Sequence, residues 1–449
     1  MSRYITILIA TLVIISSSIP SYVGIELNSG PFFSASRIIT IIILLFCVIL
    51  LFASCIVLSR QSISSEHCIF VLPAYRVGWI LFFYTILMFV SAILSTKLSD
   101  SLFTLFSEKQ LFGIILLLLG FNIAQSPNSR EILERTLIFA VVITIIISAF
   151  DYILGYSIFS LFDLPGRQEI KEGFFLVKER LGIIRIQSTM NNPVTYGTFL
   201  VMCFPFVILH HRCSNNIISK IFLSIVGILV ILLAILTIVR TVIFMLFIQI
   251  IILRKVISKQ VKIIFYPIML FLFIGIASTN HELLSEIYDS LVLHEDRTVE
   301  HSTKYRIAML EAGMTRFVQS PIIGVGQNRF SSEVEGEYLG KAIFFEHHEN
   351  YYLTILIETG ILGFMAFMLI ILCALLILRR MKKCGDSLYE IYLSQTYMAV
   401  IVGWAGMSLF LDSLSFSQIS VVFWVLLGIV LAFSKQKKCI KVLVNASAR

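Results

Sequence analysis

Long apolar runs alternate with short polar connections along the whole chain. Ile38–Leu58, Ile221–Val239 and Leu353–Leu378 contain no Asp, Lys or Arg, and only the last holds a Glu. Runs of this length match the roughly 20 apolar residues that cross a hydrocarbon core. Lipid offers backbone groups no water, so the runs must be helices. The two-residue alternation of a membrane barrel is absent. The pattern predicts twelve spans: 4–20, 37–58, 77–96, 103–123, 133–156, 193–210, 216–238, 240–254, 262–278, 351–378, 392–411 and 416–434. The expected fold is all-α, a polytopic membrane bundle of about twelve helices with a large helical outer loop.

Composition agrees: of 449 residues, 58% are hydrophobic and 14% charged, against roughly a quarter charged in soluble domains. The net charge of +8 does not point to nucleic acid, because the Lys and Arg residues are spread over short loops. They read instead as orientation signals. With the N-terminus in the cytoplasm, Arg60, Arg76, Arg130, Arg135, Arg212, Lys220, Arg254, Lys255, Arg379 and Arg380 fall inside. The short outer connections then carry only Arg37, Lys97 and Arg240. Both termini are expected inside. Arg3, the apolar stretch after it and Ser16–Ser18 resemble a secretory leader loosely, but no A-x-A site follows, so an uncleaved first helix is expected. None of the eight cysteines falls in an expected outer loop, so no outer disulfide is predicted, and no metal-ligand spacing occurs.

Two outer segments are large, 157–192 and 279–350. In the second, Ser302 or Thr303 is placed to cap a helix running to about Val318, with Pro321 ending it. Ile307, Leu310, Met314 and Phe317 share one face of that helix, which would lie on the membrane or pack on the bundle. Loops this long usually carry function. No internal repeat of the transporter kind is visible.

Chemistry concentrates between Pro321 and Gly363. His347, His348, Glu349 and Asn350 stand immediately before an apolar helix, and Asn350 is suited to cap it. The positive end of that helix favours an ionised Glu349 and a neutral His348, and a neutral imidazole can act as a general base. A polar cap at a membrane boundary is the bland alternative. Glu358 lies two turns into the helix. A carboxylate at that depth marks a functional or an internally paired site. Gly360 and Gly363 supply small residues for close helix packing. Arg185, Arg240 and Arg306 fall on the outer side. They either snorkel to headgroups or converge to clamp a diphosphate, which the guanidinium fork suits. The isolated Gly324-x-Gly326 lacks the Lys-Ser/Thr and strand context of a nucleotide loop and reads as a tight turn.

These residues resemble the O-antigen ligase and polymerase family of bacterial envelope glycan assembly. The shared features are Gly324-Val-Gly326 with Phe330, then His348-Glu-Asn350, then Leu353, Glu358, Gly360 and Gly363. Looser matches are Arg185 through Asn192-Pro193 and Gly197, Thr237–Arg240, and Arg306. The similarity runs from Arg185 to about Phe367. The family places His directly before Asn; here Glu349 holds that position, so the base would be His348, Glu349 or another group.

The resemblance implies a division into 1–192, amino-terminal spans with the first outer loop, and 193–449, a ligase/polymerase-like core including loop 279–350. It implies a bacterial inner-membrane glycosyltransferase needing no cofactor or metal and binding no nucleic acid. The implied donor is a glycan on undecaprenyl diphosphate. The acceptor is a sugar hydroxyl of another lipid-linked glycan or of lipid A core, and membrane lipids cradle the tail. Catalysis would fall to His348 or Glu349. Substrate binding would fall to Arg185, Arg240, Arg306, His347, Asn350 and Glu358. Polymerase is the preferred activity, with ligase and then a polysaccharide flippase as alternatives.

Overall fold

The computed structural model describes residues 2–20, 22–26, 32–34, 38, 42, 75–95, 97–98, 101, 111–162, 165, 168–175, 179–180, 183–190, 192–257, 303–338, 340–345 and 349–435. The expected span 262–278, nearly all of 37–58, the start of 103–123, and His347 and His348 lie outside the described residues.

The described chain is mostly helical. Its main helices are α1 (Ser2–Ser18), α2 (Tyr75–Ile93), α3 (Leu111–Ile123), α4 (Pro127–Leu154), α5 (Pro193–Cys213), α6 (Ile217–Leu236), α7 (Arg240–Leu253), α8 (Thr303–Gln319), α9 (Tyr351–Cys384), α10 (Leu388–Met407) and α11 (Ser417–Ala432). By length and composition α4, α5, α6 and α9 are able to cross a membrane. Three two-stranded antiparallel pairs accompany them: β1–β2 (Gly24–Glu26, Phe32–Ser34), β3–β4 (Glu179–Arg180, Ile183–Ile184) and β5–β6 (Glu335–Tyr338, Lys341–Phe344).

Local chemistry fixes the helix starts. Ser126 caps α4 and Asn192 caps α5, each followed by Pro at the first turn, where the missing N–H costs nothing. Asn216 caps α6 through Ile218 N. Ser387 accepts from Glu390 N while Glu390 accepts from Asp386 N, a reciprocal pairing akin to a capping box. It starts α10 four residues before the expected 392.

One apolar core joins the helices. α5 and α11 are buried along nearly their whole length, as helices apolar on every side must be. At Gly120 and Gly428 the backbones of α3 and α11 approach so closely that a Cβ would collide with the Val425 and Leu117 carbonyls. A second core joins α8, β5–β6 and the start of α9 through Tyr305, Met309, Phe330, Val334, Phe345, Leu353 and Ile357.

Contacts among the described residues mark two chemically distinct ends of the bundle. One end gathers Arg130, Arg135, Arg212, Lys220, Arg254, Arg379 and Arg380. There Glu134, fully buried, lies 3.4 Å from Arg130 Nε and 3.3 Å from His210 Nε2 and accepts from Tyr397 Oη at 2.9 Å. Arg130 also donates to Tyr389 Oη and faces the Phe433 ring. The other end carries the starts of α5, α7 and α9 and the end of α10.

Candidate functional site

The site is organised by a reversal inside α9. A straight helix separates residues sixteen apart by about 24 Å, yet the rings of Tyr351 and Phe367 are 5.6 Å apart and those of Tyr352 and Phe364 6.4 Å. The helix breaks at Gly360 (φ 66°, ψ −173°), and Tyr351–Thr359 packs back along the rest. The uninterrupted apolar run had predicted one continuous span over 351–378.

The segment 321–326 is spliced into the break. Val325 N and Gly326 N donate to the Ile357 and Glu358 carbonyls, and Ile361 N and Leu362 N donate to the Pro321 and Ile322 carbonyls. These bonds satisfy groups the broken helix leaves open. A Cβ on Gly324 (φ 80°) would meet the Glu358 carbonyl and Gly360 N, and one on Gly360 would meet the Ile322 carbonyl. Gly326 makes room for Ser95 just past α2. Ser91 Oγ donates to the Glu358 carbonyl, and Ser101 Oγ donates to the Gln327 carbonyl at 3.1 Å. The two glycine motifs are therefore halves of one interlock; the expected turn at Gly324-x-Gly326 and the expected helix face at Gly360 and Gly363 are more specific than the sequence suggested. The Glu358 side chain is buried and interacts electrostatically with Tyr84 and Tyr351.

Asn350 caps the returned helix as expected, its side chain accepting from Leu353 N at 3.1 Å. Immediately before it, the Glu349 carboxylate, 8% exposed, accepts from Arg306 Nε. Arg306 stands in the first turns of α8, and Gly313 lets α8 rest on Leu353 and Ile357. The face of α8 that packs is Tyr305, Met309 and Ala312. Ile307, Leu310 and Met314 are exposed and Phe317 only partly buried, so the expected apolar face is not the one that meets the bundle.

Arg185 Nε donates to the Thr237 carbonyl at 2.9 Å, three residues before Arg240 opens α7. The segment bearing Arg185 is pinned on three sides. Gln187 donates to the Phe174 carbonyl, Ser188 Oγ to Thr144 and Thr189 Oγ1 to Ser17. Gly197 of α5 leaves space for Thr237 and Val242. Among the described residues, the non-glycine positive-φ positions are Ser188, Ile238 and Asn328, each within three positions of an arginine: Arg185, Arg240 and Arg329. A β-branched residue such as Ile238 at φ 51° is strained, and such strain gathers at functional sites.

The structure thus pairs Arg306 with Glu349, ties Arg185 to the turn before Arg240, and sets both arrangements at the same end of the bundle. Sequence reasoning missed the Glu333 carboxylate, bridged by Arg316 at 3.0 Å and Arg329 at 2.7 Å. The four-residue spacing of Arg329 and Glu333 was its only legible signal.

Residues 195–368 match the family described as O-Antigen ligase. No curated protein matches the chain. The match runs from the first turn of α5 past the reversal in α9 and takes in Arg240, Arg306, Glu349 and both glycine motifs. The match over residues 195–368 supports membership of the O-antigen ligase family and suggests a ligase- or polymerase-type membrane enzyme.

Proposed function

We propose that this protein is a membrane glycosyltransferase that polymerises undecaprenyl-diphosphate-linked O-antigen or exopolysaccharide repeat units on the outer face of the bacterial inner membrane. The observation that carries this reading is the Arg306–Glu349 pair at the cap of α9, on the same end of the bundle as Arg185 and Arg240. The opposite, cation-rich end would face the cytoplasm, as the positive-inside bias requires.

In the proposed reaction an acceptor hydroxyl oxygen attacks the anomeric carbon of the donor glycan. The new C–O bond forms as the bond to the diphosphate oxygen breaks, and the diphosphate leaves with the electron pair. His348 takes the hydroxyl proton. Glu349, engaged by a guanidinium, orients Arg306 rather than serving as base. Arg306, Arg240 and Arg185 supply fixed positive charge where negative charge grows, which lowers the barrier without reorganisation. Asn350 and Glu358 support this layout through the cap and the interlock.

A ligase that transfers the glycan to lipid A core is the second reading, favoured by the description of the matching family. Purified protein incubated with lipid-linked repeat units alone is expected to yield longer lipid-linked chains. Transfer only when core acceptor is added would establish the ligase instead. No transfer in either mixture, from folded protein, would refute both.

A further inference from the structure

The hydroxyls of Ser148, Ser188 and Tyr196 crowd one backbone oxygen of α4. The Thr144 carbonyl accepts from Ser188 Oγ at 2.9 Å and from Tyr196 Oη at 3.3 Å. Ser148 Oγ donates either to that carbonyl, at 2.8 Å, or to Tyr196 Oη, at 2.7 Å. Thr144, Ser148, Ser188 and Tyr196 are all fully buried. A helical carbonyl already uses one of its two lone pairs on the bond within the helix, so these donors compete for what remains.

The turn that delivers Ser188 dips into the bundle. α4 and α5 are antiparallel: His210 meets Glu134, and Tyr196 meets Ser148 an equal step along each helix. Thr144 lies midway between Glu134 and the end of α4 at Leu154, about 15 Å from either. The chain between β4 and α5 therefore reaches down beside α4 before Asn192 starts α5. Met190 N donates to the Gln187 carbonyl at 3.0 Å and closes the turn. Irregular backbone at such depth persists only where protein satisfies its polar groups. Ser188 also sits at φ 53°, which a side chain adopts at a cost. Glycine would take this φ freely but has no hydroxyl to reach Thr144.

Arg185 precedes Ser188 by three residues, and its Nε donates to the Thr237 carbonyl at 2.9 Å. We propose that Ser188 is a positioning residue for Arg185, with Tyr196 and Ser148 holding the acceptor that Ser188 binds. The bond to Thr144 fixes the turn, and the fixed turn sets where Arg185 stands. The Nε bond to Thr237 then sets the plane in which the guanidinium meets the diphosphate, and a planar fork depends on that orientation. The proposal rests on the reading of Arg185 as a diphosphate-binding group.

Binding of undecaprenyl diphosphate to the full chain in nanodiscs tests this without requiring turnover or a choice of acceptor. Ser188→Gly removes the hydroxyl and the positive-φ strain together. Its melting temperature is expected to stay near that of the parent while affinity falls about tenfold, the equivalent of one hydrogen bond to a charged group. Arg185→Ala is expected to lower affinity at least as much. In the double variant Ser188→Gly is expected to add nothing to Arg185→Ala, because the serine acts through the arginine. An equal fall from Ser188→Gly in both backgrounds would overturn the proposal by showing a general loss of structure. Parent affinity in Ser188→Gly would overturn it as well, with the role of Arg185 left standing. Parent affinity in Arg185→Ala would instead remove Arg185 from the site, and the proposal with it. Should Ser188→Gly not fold, Tyr196→Phe keeps the ring, loses the phenol oxygen and carries the same cycle. Its fall is expected to be smaller and to vanish in the Arg185→Ala background; a fall that persists there would count against the proposal.

Discussion

Arg306 donates to Glu349 across 43 positions of sequence, tying the second turn of α8 to the residue before the cap of α9. Glu349 is the less exposed partner. A carboxylate held by a guanidinium is stabilised in its charged form and is a poor acceptor for a substrate proton. Glu349→Gln is therefore expected to retain activity within about tenfold of the parent, because the amide oxygen can still accept from Arg306. His348→Ala is expected to fall by about 100-fold or more, the usual contribution of a general base. Chain-extension rates on lipid-linked repeat units measure both. A Glu349→Gln loss as large as that of His348→Ala, together with loss of the acidic limb of the pH profile, would transfer the base role to Glu349.

The interlock at Gly324 and Gly360 separates two costs that glycine normally hides. Gly155 and Gly340 also have positive φ, but nothing lies within 4 Å of a Cβ there. Alanine at those two positions is expected to cost only the backbone strain of a left-handed residue, about 1–3 kcal/mol. Gly324→Ala and Gly360→Ala must in addition push apart backbone that is already hydrogen-bonded. Thermal unfolding in detergent is expected to show a clearly larger drop in melting temperature for the latter pair than for Gly155→Ala. Equal drops across all four would mean the splice contributes nothing.

That interlock also marks where sequence reasoning ended. Starts such as Asn192-Pro193 and Asn216 are written in neighbouring residues, and the expected spans 193–210 and 216–238 match α5 and α6 closely. Asn350 was legible as a cap for the same reason. The reversal at Gly360 was not, because apolar residues continue on both sides of it and hydropathy reports burial from water, not direction. The choice of packed face on α8 was hidden similarly: Ile307, Leu310 and Met314 are as hydrophobic as Met309 and Tyr305, and only the hairpin and α9 decide between them. Arg185, Arg240 and Arg306 could be named one by one, but their partners lie dozens of residues away, and long-range pairing leaves no local pattern.

The contact from Arg185 to the Thr237 carbonyl implies that Arg185 acts partly through Arg240. Arg185→Lys keeps the charge but loses the Nε donor that makes this bond. It is expected to lower activity by about tenfold, the equivalent of one hydrogen bond to a charged group. Gly197→Val should produce a similar loss from the other side, since even a Cβ at 197 would lie 2.9 Å from Thr237 Oγ1. The activity of both variants, normalised to folded protein, is the measurement. If Gly197→Val folds and turns over normally, the placement of the Thr237–Arg240 turn is not critical.

At the far end of the bundle, the Glu134 cluster should govern stability and leave turnover alone. Arg130 and Glu134 are almost wholly buried, so truncating one strands the other's charge. Arg130→Ala is expected to destabilise by about 3–5 kcal/mol, and Tyr397→Phe by about 1 kcal/mol. Replacing Arg130 with Met and Glu134 with Leu together should cost less than Arg130→Ala alone, because no charge is then left without a partner. The twenty residues of α4 from Glu134 to Leu154 span about 30 Å, so the cluster is remote from Arg306 and Glu349. Unfolding by heat or denaturant in micelles gives the stabilities, and chain extension per folded molecule gives the turnover. A fall in that turnover comparable to Arg306→Ala would show that the two ends of the bundle are energetically coupled, and would sink the division of labour drawn between them.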